Sequence, residues 1–271
     1  MTELNPFTIV SGAVVDLLTR HGGLFVSMGT NMFRGFAIIL IAWFGIRAAL
    51  SSTEGHAVPF GRFANLLLTI AIGFTMITFY DRPIPGIGRS FTHLITDQAQ
   101  VLAAQLETSQ VQLLSDRLSE VYVSLEQPMF YNVVQVVGYF LVAIFVTLAR
   151  VSLVAVIAFG WVATAVAVLV GPIFIPFFIV PHMEWMFWGW FKSLIQYSFY
   201  QVIAQAFVFV FGSFLLRAID AFPPPYTVDK ILVGGFHLIF LCVAFIYGLL
   251  KVPSLTNSLF TGRSGESAVP A

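Results

Sequence analysis

Ser213 directly follows Gly212, and His237 lies on the next apolar stretch, so an intramembrane serine hydrolase is the first chemistry to weigh. An activated hydroxyl of that kind needs a base within hydrogen-bond reach. The glycine usually found soon after such a nucleophile is missing, because Phe214, Leu215 and Leu216 follow. His182-Met183-Glu184 is not a zinc motif either, since a helical site needs two histidines four residues apart on one face. The five histidines are scattered without ligand spacing, and there is no glycine-rich phosphate loop with its lysine. The chain is expected to have no catalytic, metal or cofactor site. Energy for any transport must come from elsewhere.

Charge placement carries more. None of the thirteen Asp and Glu falls inside the long apolar stretches, whereas ion-coupled transporters commonly place an acid at mid-membrane. Arg34 and Arg150 are the reverse case, positive charges within apolar runs with no acidic partner expected on any neighbouring span. Two explanations stand for them. Each snorkels or binds freed carbonyls, or each faces a protein-lined cavity and meets anionic groups such as phosphates or lipid head groups.

These residues sit in a chain of 271, of which 58% are hydrophobic and 10% charged. A soluble domain carries about 25% charged residues, so this is an integral membrane protein. Its apolar runs do not alternate and far exceed the ~9–11 residues of a barrel strand, which makes it an all-α, polytopic helical protein. Thirteen basic residues balance thirteen acidic ones, so net charge names no partner. The single cysteine, Cys242, lies in an apolar run and reads as a packing residue.

The first 22 residues carry Glu3 and Asp16 but no base before Arg20, the wrong charge for a cleavable signal. Asn5-Pro6 reads as a helix start and Gly22-Gly23 as a stop, giving an amphipathic N-terminal helix over 1–22. Two spans are expected within 23–80, in Leu24–Leu50 and about Phe63–Tyr80. "DRPIPG" then marks a turn. The segment 81–127 holds three basic and six acidic residues, and its apolar positions at three- and four-residue steps predict an amphipathic helical hairpin. Further spans fill 128–251. They run from Tyr131 to Val180, within Phe191–Leu216, and over Ile231–Leu250. A tail covers 252–271.

Arg47 and Arg62 flank the short loop between the first two spans, which the positive-inside rule places in the cytoplasm. The N-terminus and 81–127 are then periplasmic. Lys251 and Arg263 favour a cytoplasmic tail, so five spans is the consistent count and six, with the tail outside, the alternative. In "LVGPIFIPFFIVPHMEWMFWGWFKSL", Gly171-Pro172 is expected to end a span, Pro176 and Pro181 to prevent a helix across the connection, and the tryptophans to set the depth of the next span.

An apolar span ending in Gly171-Pro172, a proline-containing apolar turn and an aromatic run centred on Trp190 resemble the TrbL family, VirB-type inner-membrane subunits of bacterial type IV secretion and conjugation systems. Two spans, a long periplasmic segment and further spans fit the same arrangement. The resemblance implies a non-enzymatic subunit of the inner membrane, repeated as a homo-oligomeric ring. It implies support of DNA or protein translocation and of pilus biogenesis. The implied partners are cytoplasmic ATPases, pilin and stalk subunits, periplasmic scaffold proteins, membrane lipids and the passing substrate. Some members carry a long C-terminal extension, which this sequence lacks. On that footing Leu102, Leu106, Leu114 and Leu118 are the candidate periplasmic docking face. A self-contained small-molecule transporter or channel is the alternative. The absent mid-membrane acids and the absence of a visible internal repeat count against it.

Overall fold

The computed structural model describes residues 6–53, 60–124, 133–221 and 236–261. Among them there is no strand. The helices are α1 (Pro6–Thr53), α2 (Phe60–Thr78), α3 (Phe91–Val123), α4 (Val133–Phe174), α5 (Glu184–Asp220) and α6 (Phe236–Thr261), with a 3-10 turn at Ile175–Ile179 between α4 and α5. Five of the six are long and apolar enough to cross a membrane. The exception is α3, which falls in the expected extramembrane segment.

Three local expectations are corrected. α1 runs unbroken through Gly22 and Gly23. Glycine permits a stop but does not force one, and neither residue takes the positive φ of a helix cap. The 81–127 segment holds one helix rather than a hairpin, because no Gly or Pro separates Leu106 from Val111 and the ladder continues. α4 passes through Gly171 and Pro172 and stops at Phe174. Pro176 ends it, since a second missing N–H lets the chain go on only as a 3-10 turn. The Asn5 cap and the tail beyond 261 lie outside the described residues.

Contacts divide the chain into two compact units. One comprises Ile9–Gln98 with Val162–Tyr197, and the other the residues before Ile9, Ala99–Trp161 and the chain from Ser198 on. In the second unit, Val111, Leu114, Leu118 and Val121 form the buried stripe of α3 at helical spacing. They join Val146, Leu153, Val208, Phe245 and Leu249 in one core. Small residues let the helices close up. A side chain at Gly160 would meet Tyr200 and Gln201, one at Gly248 the ring of Phe207, and one at Gly212 the side chain of Leu114. Cys242 is buried in this core as a packing residue.

Burial corrects the docking face. Leu114 and Leu118 are 0% and 1% exposed within the chain's own core, so neither is free to meet a partner. The side chains of Leu102 and Leu106 lie outside the described residues. Gln205 is buried in the same unit, and neither of its amide atoms has a hydrogen-bond partner among the described residues.

Two substitutions test this core, read as unfolding midpoints in detergent. Leu118→Ala opens a cavity and should destabilise by about 2–5 kcal/mol. Gln205→Leu removes an unsatisfied buried amide at similar volume, and should raise the midpoint by the equivalent of about 1–3 kcal/mol.

Candidate functional site

The first unit is built around the broken connection between α4 and α5. Pro172 has no N–H, so the carbonyl of Val168, four residues earlier, loses its helical donor. The hydroxyl of Tyr80 takes that place and donates to the Val168 oxygen. One residue back, the indole Nε1 of Trp190 donates to the carbonyl of Ala167 at 2.8 Å. Tyr80 thus replaces the donor that Pro172 lacks, and Trp190 ties α5 to the carbonyl beside it. Proline within an apolar helix is tolerated when neighbours re-satisfy the backbone in this way.

Gly171 serves that arrangement by its size rather than by its turn potential. A Cβ there would overlap the Tyr80 hydroxyl and the Trp190 ring. Gly29 on α1 faces the backbone of Pro172 just as closely, and Gly73 on α2 faces Phe33 and Ile179. Around them Phe33, Ile77, Tyr80, Ile175, Phe187 and Trp190 form a buried cluster. The aromatic run adds a ring network, with Phe187 5.8 Å from Trp190 and 5.0 Å from Phe178.

Tyr80 is itself held by the loop after α2. Ile84-Pro85-Gly86-Ile87 is a turn with Pro second, Gly86 third at φ 87°, and a bond from Ile87 N to Ile84 O of 3.1 Å. Phe91 N donates to Phe79 O at 2.9 Å and Thr92 Oγ1 to Tyr80 O at 3.0 Å. Ser90 caps α3 by accepting from His93 N at 3.3 Å. The "DRPIPG" turn is therefore where the sequence places it, and it fixes the tyrosine.

At the tip, Met183 N donates to Val180 O at 3.1 Å, with Pro181 second and His182 third at φ 70°. That is the backbone of a type II turn with histidine where glycine is preferred. Pro176 is buried, and Pro181, His182 and Glu184 are exposed.

The remaining candidate residues are placed as follows. Arg34 and Arg150 are both exposed, and among the described residues neither makes an ion pair. Ser213 donates its hydroxyl to Val210 O at 2.7 Å, and the side chain of His237 lies outside the described residues. Among the described residues no group of three or more His, Cys, Asp or Glu is placed to hold a metal. Sequence reasoning missed Tyr80, Gly29 and Gly73. Pro172 announces an orphaned carbonyl at Val168, but nothing local says that a tyrosine 88 residues away in sequence fills it.

The family model of the TrbL/VirB6 plasmid conjugal transfer protein matches residues 37–252. The chain belongs to that family. No curated protein matches it. As a TrbL/VirB6 protein it is a multi-pass membrane component of a conjugal transfer or type IV secretion system. The match contains Tyr80 and the whole α4–α5 connection.

A double-mutant cycle tests the capping bond. Tyr80→Phe leaves the Val168 carbonyl unsatisfied and should destabilise by about 1–3 kcal/mol. In a Pro172→Ala background the restored N–H satisfies that carbonyl, so the same change should matter measurably less. Equal losses in both backgrounds would separate Tyr80 from Pro172.

Proposed function

We propose that this TrbL/VirB6 protein is a non-catalytic channel and assembly-platform subunit, repeated as a homo-oligomeric ring in the bacterial inner membrane. It supports translocation of DNA or protein and pilus biogenesis, and cytoplasmic ATPases supply the energy. Periplasmic scaffold, pilin and stalk subunits are its other partners. The N-terminus is periplasmic and the tail cytoplasmic, as Arg47 and Arg62 beside the short loop favour.

The observation that carries the ring is the exposed face of α4. Val137, Phe140, Ile144, Leu148, Phe159 and Val166 are all 45–58% exposed. From Val137 to Val166 this stripe runs about 44 Å at 1.5 Å per residue. A hydrocarbon core of about 30 Å covers it only at a tilt near 47°, beyond the roughly 0–40° that spans adopt. Lipid therefore leaves part of the stripe uncovered, and a second copy of an apolar helix of the same length is the cover that fits it.

The test uses Ile144→Cys in a Cys242→Ala background, which should cross-link to a second copy in native membranes. Phe140→Glu with Ile144→Glu should abolish the oligomer and conjugal transfer while leaving membrane insertion intact. A monomeric particle with normal transfer would contradict the ring and favour a self-contained transporter.

A further inference from the structure

We propose that Arg47 of α1 and Arg62 of α2 together hold the phosphate of an anionic phospholipid at one end of the α1–α2 pair.

The pairing of the two helices brings the arginines together. Phe33 of α1 packs at Gly73 of α2, and Phe44 stacks on Phe63 with ring centroids 5.1 Å apart, so the helices run antiparallel. Arg47 lies three residues past Phe44 and Arg62 one residue before Phe63, both on the side of the stacked rings away from Gly73. At about 1.5 Å per residue, their backbones stand about 3 Å apart in height. The helical turn decides which way they face. At about 100° per residue, Arg47 is rotated about 60° from Phe44 and Arg62 about 100° from Phe63, in the same sense. In an antiparallel pair, rotations of one sense from facing residues lead to one flank. Both guanidinium groups therefore rise from the same side of the same end, at nearly one level.

No acid meets them among the described residues. Both arginines are exposed, and neither makes an ion pair there. No Asp or Glu occurs from Leu17 to Thr53 or from Phe60 to Tyr80, and Glu54 lies outside the described residues. Two cations at one level draw an anion between them. The surroundings say which kind. Trp43, four residues before Arg47, and Leu50, three after it, share its face of α1 and are 60% and 61% exposed. A phosphate diester takes two guanidinium groups in charge-assisted bonds, for which the planar fork of arginine is better shaped than lysine. The acyl chains it carries cover apolar surface that a free phosphate would leave bare. Tryptophan beside cations is also the pattern of a helix end at a headgroup layer. An anionic lipid thus answers both halves of the patch, the charge and the apolar surface. The site requires only that this end of α1 and α2 meets a bilayer surface. It does not depend on the ring, on the cargo or on which leaflet is met.

The test is lipid retention by the full chain purified in mild detergent, read by native mass spectrometry after addition of equimolar phosphatidylglycerol and phosphatidylcholine. The chain should retain phosphatidylglycerol about tenfold over phosphatidylcholine. Arg47→Gln and Arg62→Gln should each remove most of that preference, and the double variant should lose little more, since both hold one phosphate. Arg47→Lys with Arg62→Lys keeps the charge and tests the geometry. It should insert as the native chain does and still lose the preference severalfold. Equal retention of the two lipids by the native chain would overturn the inference. So would full preference in the double lysine variant, which would reduce the patch to general attraction toward an anionic surface. Displacement of the lipid by glycerol 3-phosphate at matched concentration would assign the site to a free phosphate, and displacement by an oligonucleotide to nucleic acid. Either overturns it as well.

Discussion

A proline without an N–H sets the terms for half of this molecule. Pro172 frees the Val168 carbonyl inside an apolar helix, where an unsatisfied acceptor is costly; Tyr80 reaches in from beyond α2 to cap it, and Trp190 of α5 bonds the adjacent Ala167 carbonyl. Those two side chains can approach only because Gly171 has no Cβ, and α1 can close over Pro172 only because Gly29 has none. The loop after α2, with its Pro85-Gly86 turn and Ser90 cap, exists structurally to hold Tyr80 in place. One lost hydrogen bond therefore links four elements, and the cluster around Phe33, Ile77 and Phe187 packs on the result.

Much of this was legible in the sequence. Composition and unbroken apolar runs dictate an all-α membrane protein, because only helices of that length satisfy their own backbone in lipid, and five of the described helices are long and apolar enough to cross. The Gly-Pro and tryptophan signature pointed to the family that the chain belongs to. What was not legible depends on distant partners. Gly171 looks like a turn residue until Tyr80 and Trp190 are seen against it. Leu114 and Leu118 look like a docking stripe because an amphipathic face has the same spacing whether its partner is another protein or α5 of the same chain. Gly22-Gly23 looks like a stop because glycine weakens a helix, yet a helix flanked by good formers on both sides runs through.

The proposed role of this TrbL/VirB6 protein rests on surfaces rather than on a reacting group. The Ser213 hydroxyl bonds a carbonyl of its own helix. On the proposed account a long uncovered face of α4 draws copies of the chain together. It rests on one physical rule, that hydrocarbon accepts apolar side chains and rejects bare backbone.

The most direct test is a cryo-electron microscopy map of the chain in a lipid nanodisc, resolved well enough to place the Tyr80 side chain and the bilayer boundaries. The account predicts the Tyr80 hydroxyl on the Val168 carbonyl and the Trp190 indole on Ala167. A Val168 carbonyl left without the tyrosine would contradict it.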